Sequence, residues 1–256
     1  MVRVFISSDL TGRGFESNNN CVDKNAKKWY NLKYQRKFKN SKRRSHRETK
    51  HTSLTQKNTG DFSRNSIKDM QTKFILHGGF TPKTVQEDNA FFKEILKGVP
   101  QNPKVLLVYF AKEENRIAKN REEDIVQFEK NKGDKTLSFE IANEKEFSDQ
   151  VVRSDIVYLH GGSSAKILET LSKFKNLKQL LKGKTVAGDS AGANVLSICF
   201  YSRSSDKIFE GLGILPIKLI PHHSEDQNEK LQELKKYYPE LETVILSEYQ
   251  MRILYQ

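Results

Sequence analysis

Two cysteines in 256 residues, Cys21 and Cys199, are too few and too far apart for a disulfide framework or a zinc site, and they fit a reducing compartment. Long apolar runs are missing as well: nothing approaches the roughly 18 consecutive apolar residues that a membrane-spanning helix requires. At the N-terminus, Met1-Val2-Arg3-Val4-Phe5-Ile6-Ser7-Ser8-Asp9-Leu10 has its apolar run interrupted early, so the hydrophobic region of a signal peptide is absent. The composition excludes a collagen-like, coiled-coil or membrane protein and predicts a cytoplasmic one with no membrane partner. What the chain does have is 36% hydrophobic residues, enough for a core in part of its length, and 30% charged residues.

The charge is unevenly placed. Of the net +12, residues 1–69 carry 17 basic and 6 acidic side chains, net +11, while residues 70–256 carry 27 and 26, net +1. A basic surface on the patterned part of the chain therefore does not explain the pI of about 9.5. From Asn18 to about Asp69 the sequence is rich in Asn, Ser, Lys, Arg, Thr and Gln, without apolar periodicity. Such a segment cannot bury enough apolar surface to offset chain entropy, which predicts disorder. Within it Trp29, Tyr30, Tyr34 and Phe38 are interleaved with lysines and arginines, a mix that can stack on bases and neutralise phosphates. Any nucleic-acid partner would thus be held through residues 1–69; a solvated tail without a dedicated partner is the plainer reading. Met70, directly before the first patterned stretch, also reads as a translation start, in which case residues 1–69 are not native coding.

From Met70 onward short apolar runs alternate with amphipathic stretches. Phe74 to Leu76, Val105 to Phe110, Thr136 to Ile141, Asp155 to Leu159 and Lys184 to Gly188 read as strands, with helices over Asn89 to Leu96 and Glu113 to Lys132, after Gly162, and from the turn after Gly188 through Tyr201. Further strands precede His222 and span Glu242 to Leu246. Apolar strands joined by helical crossovers predict an α/β domain over residues 70–256, with a parallel sheet covered on both faces, three layers in all. Ligands in such sheets sit beyond the carboxyl ends of the strands, where this sequence places Gly78-Gly79, Gly161-Gly162 and Gly188.

Gly188-Asp189-Ser190-Ala191-Gly192 matches G-x-S-x-G, in which a serine occupies a sharp strand-to-helix turn flanked by glycines. A serine hydroxyl needs a base to become a nucleophile. His222, after a predicted strand, is delivered to the same sheet edge, with neighbouring His223 as the alternative. For the carboxylate that would orient the histidine, Asp206 lies between nucleophile and base, and Glu210 and Glu225 compete with it. Two backbone donors must also face the tetrahedral intermediate. The Ala191 amide is one by construction of the turn, and Gly162 or Gly79, each at a strand end, is the natural second.

These features resemble the serine peptidases that include aspartyl dipeptidase (dipeptidase E) and cyanophycinase, of the class I glutamine amidotransferase-like, flavodoxin-like fold. The resemblance covers residues 70 to about 240 and rests on His160-Gly161-Gly162-Ser163-Ser164, on Gly188 to Asn194, and on Gly211-Leu212-Gly213-Ile214-Leu215-Pro216 leading to Pro221-His222. It implies Ser190 as nucleophile, His222 as base, the amides of Gly162 and Ala191 as the oxyanion hole, and an acid near Asp206. It also implies no metal or organic cofactor and a small peptide substrate cut next to aspartate. A glutamine amidotransferase would need cysteine where position 190 is serine. An α/β-hydrolase esterase shares the turn, but only 32 residues separate Ser190 from His222. A catalytically silent ligand-binding domain is the remaining alternative.

Overall fold

A computed structural model of the chain describes residues 71–80 and 88–256. The expectations for residues 1–69 lie outside this range. Among the described residues the strands run β1 (Lys73–His77), β2 (Lys104–Val108), β3 (Ser138–Ile141), β4 (Ile156–Leu159), β5 (Thr185–Asp189), β6 (Cys199–Ser202), β7 (Lys207–Glu210), β8 (Ile217–Ile220), β9 (Glu242–Ile245) and β10 (Met251–Tyr255). The α-helices are α1 (Asn89–Leu96), α2 (Glu114–Asn131), α3 (Phe147–Arg153), α4 (Ser164–Leu171), α5 (Leu177–Leu180), α6 (Ala191–Asn194) and α7 (Asn228–Lys236).

The predicted three-layer arrangement is present in the first sheet, ordered β10-β1-β5-β4-β2-β3. Its strands alternate between two cores, as a period of two demands. Phe74 and Leu76 of β1, Val157 and Leu159 of β4 and Val186 of β5 join Phe147 and Val151 of α3 and Ile167 and Leu171 of α4. Ile75, Tyr158 and Ala187, from the same strands, face Phe91 and Phe92 of α1 and Phe128 of α2 on the other side. Each side chain of this kind, fully withdrawn from water, contributes roughly 1.5–3 kcal/mol of transfer free energy. Charged α2 turns Ile117, Ile125 and Phe128, at helical spacing, toward the sheet.

The single parallel sheet needs correcting in two respects. β10 pairs antiparallel with β1, from Lys73 opposite Tyr255 to His77 opposite Met251. The strand before His222 belongs to a second sheet, ordered β7-β6-β8-β9, in which β7 is antiparallel to β6. The predicted helix through Tyr201 stops at Asn194 and gives way to β6. Cys199-Phe200-Tyr201 is an aromatic-rich run whose side chains alternate: Phe200 points into the main core, while Cys199 and Tyr201 face Leu231 and Leu234 of α7. Partners on both faces favour a strand over continued helix. Phe200, Leu219 and Val244 of the second sheet share a core with Leu76 and Val186 of the first. Among the described residues no helix is long and apolar enough to cross a membrane.

Candidate active site

The parallel register aligns the carboxyl ends of β1 and β5, with His77 opposite Asp189. Ser190 is the next residue, and its backbone, at φ 47° and ψ −103°, is in a region that costs an L-residue on the order of 1–3 kcal/mol. Its surroundings impose this shape. A Cβ on Gly188 would stand 2.6 Å from the Ala193 nitrogen, and one on Gly192 would stand 2.0 Å from the Leu159 carbonyl oxygen. Only glycine lets α6 turn back so closely on β5 and β4, and the Ser190 amide fastens the turn by donating to the His77 carbonyl at 3.1 Å.

His222 follows β8, from the second sheet. Its amide donates to the Gly78 carbonyl at 3.0 Å, and its ring lies against Gly79, where a Cβ would come within 2.2 Å of Cε1. Nε2 is 2.8 Å from Ser190 Oγ, and Nδ1 is 3.4 Å from Glu248 Oε1. A carboxylate only accepts, so Nδ1 carries the proton and Nε2 presents its lone pair to the serine hydroxyl. Glu248 sits in the turn between β9 and β10, which is tied to the same glycines: Gly78 donates to Gln250 O at 2.8 Å and Tyr249 donates to Gly79 O at 3.0 Å. Gly78-Gly79 thus fastens both the chain at His222 and the turn bearing Glu248 to one strand end.

The amides of Gly162 and Ala191 have no acceptor among the described residues. Gly161 abuts Ser190, a Cβ there lying 3.4 Å from Ser190 Cβ. Around this point lies a cleft of about 1250 Å³ lined by Ser190, His222 and Glu248, with Lys112, Arg116 and Lys119 along one wall. Among the described residues no group of three or more His, Cys, Asp and Glu could hold a metal ion.

Two buried polar groupings underlie the cleft. His77 stands 2.9 Å from Asp189 Oδ1 and 2.9 Å from Asp88 Oδ2. Burial works to lower its pKa, but the hydrogen bonds and charges of Asp189 and Asp88 outweigh it and raise it to about 9. Burial opposes ionisation of Asp189, yet His77 holds its carboxyl below the ordinary range. In the second grouping Asp124 accepts from Tyr109 OH at 2.8 Å and Tyr158 OH at 3.4 Å, with His160 Nε2 3.4 Å away. Burial pushes the Asp124 carboxyl up to about 8 and His160 down, favouring the neutral form of each.

The profile of peptidase family S51 matches residues 65–254. The chain belongs to that family. Among solved structures, this family S51 chain is similar to a peptidase from an acI-B1 Actinobacterium, with 21% identity over 73% of this chain and 84% of that one and a TM-score of 0.54. It is also similar to a putative peptidase E protein from Listeria monocytogenes EGD-e, with 17% identity over 73% of this chain and 98% of that one and a TM-score of 0.53. At these identities the likeness is one of fold. No curated protein matches the chain.

Of the residues singled out from the sequence of this S51 member, Ser190 and His222 come together and Asp206 does not join them. Asp206 ends a 3-10 turn after β6, where its exposed carboxylate accepts from Tyr201 OH at 2.9 Å and pairs with Lys230 at 3.0 Å. Glu210 accepts from Tyr238 OH, Glu225 opens an exposed 3-10 turn, and the His223 ring nitrogen Nε2 is buried without a hydrogen-bond partner among the described residues. The carboxylate beside His222 is Glu248, which an order of serine, acid, histidine along the chain passes over. The one cue to it was a turn, Ser247 to Gln250, between two strands beyond the histidine. Gly79, considered as an amide donor, instead forms the seat of the His222 ring.

Proposed function

We propose that this chain is a serine-type, exopeptidase-like hydrolase of small peptides, with Ser190 as nucleophile, His222 as base and Glu248 as the carboxylate that orients it. The observation carrying this reading is the 2.8 Å contact of His222 Nε2 with Ser190 Oγ at a strained strand-to-helix turn. Ser190 Oγ attacks the scissile carbonyl as its proton passes to Nε2. The charge that develops on imidazolium is stabilised by Glu248, and the oxyanion is met by the amides of Gly162 and Ala191. His222 then gives the proton to the departing amine, and water repeats the sequence on the acyl-enzyme to free the acid.

Lys112 supports an acidic substrate residue, such as the aspartate of an aspartyl dipeptide. Its half-buried side chain lines the cleft, and burial lowers its pKa against the pull of Asp189 and Asp124. An ammonium already stripped of water binds a carboxylate at little further cost. The span of the family match, beginning at residue 65, supports a peptidase domain over residues 70–256. A free, buried Cys199, its thiol pushed up to about 12 by burial, suits the reducing cytoplasm.

The test compares the full chain with Ser190→Ala for labelling by a fluorophosphonate and for cleavage of an aspartyl dipeptide panel. Labelling and turnover by the wild type, both abolished in the variant, are expected. Labelling that survives in Ser190→Ala, or a wild type inert to probe and peptides, overturns the reading.

A further inference from the structure

His160 directly follows β4, is buried at 7% exposed, and takes no part in the line from Ser190 through His222 to Glu248. Its Nδ1 lies 2.8 Å from the carbonyl oxygen of Gly161. A carbonyl only accepts, so Nδ1 carries the ring proton, and the bare Nε2 is turned to the carboxyl of Asp124 at 3.4 Å. That contact is favourable when Asp124 holds a proton, which its burial promotes against the opposing pull of the Tyr109 and Tyr158 hydroxyls. Asp124 and the tyrosines therefore fix which nitrogen of His160 faces Gly161.

The Gly161–Gly162 peptide is trans, so the Gly161 carbonyl and the Gly162 N–H point in opposite directions. Backbone bonds hold the chain on either side: His160 N donates to Val108 O at 3.1 Å and Ser163 N donates to Ala111 O at 2.9 Å. Between those anchors stand two glycines, Gly162 with φ at +145°, a conformation open to glycine and seldom to other residues. Such a unit can rotate about its flanking bonds unless something holds its carbonyl. Among the described residues only the His160 ring does so.

We propose that His160 is a positioning residue for the oxyanion hole: by donating from Nδ1 to the Gly161 carbonyl, it keeps the Gly162 N–H turned toward Ser190. The proposal rests on the Ser190 reading above. Without the donor the peptide unit samples both orientations, and the hole keeps the Ala191 amide alone for part of the time. Loss of a complete oxyanion donor costs about 10²–10³-fold in kcat. Partial misorientation of one donor costs less, about 10–10²-fold.

The experiment uses the full chain with His160→Ala, His160→Phe and His160→Asn, each assayed for kcat and KM on a dipeptide that the wild type cleaves and for inhibition by the matching peptide aldehyde. Asn can place an amide N–H where Nδ1–H stands, whereas Phe keeps a ring and loses the donor. In His160→Ala and His160→Phe, kcat falls about 10–10²-fold with KM within about twofold, aldehyde affinity falls by the same factor, and His160→Asn recovers most of the loss. Wild-type kcat in His160→Ala, or an active Phe variant beside an inactive Asn variant, overturns the proposal and leaves the ring as packing. If the variants do not fold, the ¹⁵N shift of His160 in the wild type decides. A protonated Nδ1 across the active pH range is expected, and a bare one overturns the proposal. Wild-type turnover with unaffected His160 variants defeats this proposal alone, whereas an inert wild type defeats the Ser190 reading and this proposal with it.

Discussion

Glu248→Gln removes a negative charge 3.4 Å from His222 Nδ1 while keeping the side chain's size. At that distance a unit charge is worth about 5 kcal/mol to a neighbouring imidazolium at an effective dielectric of about 20, and about 1 kcal/mol in bulk water. The Glu248 side chain is 33% exposed and that of His222 22%, so the interaction falls between these limits, about 3 kcal/mol. Because imidazolium forms in the transition state, that energy appears in the barrier, roughly 10²-fold in kcat/KM. Glutamine can also offer its amide N–H to Nδ1, favouring the tautomer that cannot take the serine proton, which adds to the loss. The assay is kcat/KM on a cleaved dipeptide together with the rate of fluorophosphonate labelling, run beside Asp206→Asn. The Asp206 carboxylate, 68% exposed and paired with Lys230, belongs to the class of surface ion pairs worth about 0–1 kcal/mol. Asp206→Asn is expected to keep activity within about twofold. An active Glu248→Gln beside an Asp206→Asn slowed a hundredfold would refute the assignment of the acid.

Gly79→Ala puts a methyl group where the His222 ring lies and asks alanine to hold φ +86°, so kcat/KM should fall on the order of 10²-fold with the loss of near-attack geometry, read by kinetics beside a melting curve. A fully active Gly79→Ala would show that the ring is seated elsewhere. Asp124, with its carboxyl raised to about 8 in the fold from 3.8, binds more protons folded than unfolded between those values. Its contribution to stability is therefore greatest below about pH 4 and declines as pH rises toward 8. Asp124→Asn, which cannot ionise, should gain stability relative to the wild type across that window, by several kcal/mol as an order of magnitude; denaturant titrations from pH 4 to 8 with a constant difference would refute it.

The sheet was readable from sequence because buried parallel strands appear as unbroken apolar runs, as in Val105 to Val108, and because Gly188 and Gly192 mark a reversal that other residues cannot make. The approach of His222 to Ser190 was expected at one sheet edge and is instead made where strands of two different sheets end side by side. Glu248 was beyond such reasoning. It is placed by backbone bonds from Gly78 and Gly79, some 170 residues earlier in the chain, and pairings of that span leave no local pattern. Cys199 to Ser202 was misread for a related reason: its alternation is between two cores, so every side chain is buried and neither helical nor strand periodicity stands out. The role of Gly79 was hidden because a glycine pair marks a close approach without naming what approaches.

Ser190, the proposed nucleophile, follows a strand of one sheet and His222, its proposed base, follows a strand of the other, so the 2.8 Å contact between them crosses the seam where Phe200, Leu219 and Val244 meet Leu76 and Val186. Reaction geometry is therefore a property of how two sheets are registered against each other. A slip of about 1 Å between them costs on the order of 10²-fold in rate. Apolar residues far from any substrate therefore set the tolerances of the site, and a volume change at the seam should cost activity beyond what it costs in stability.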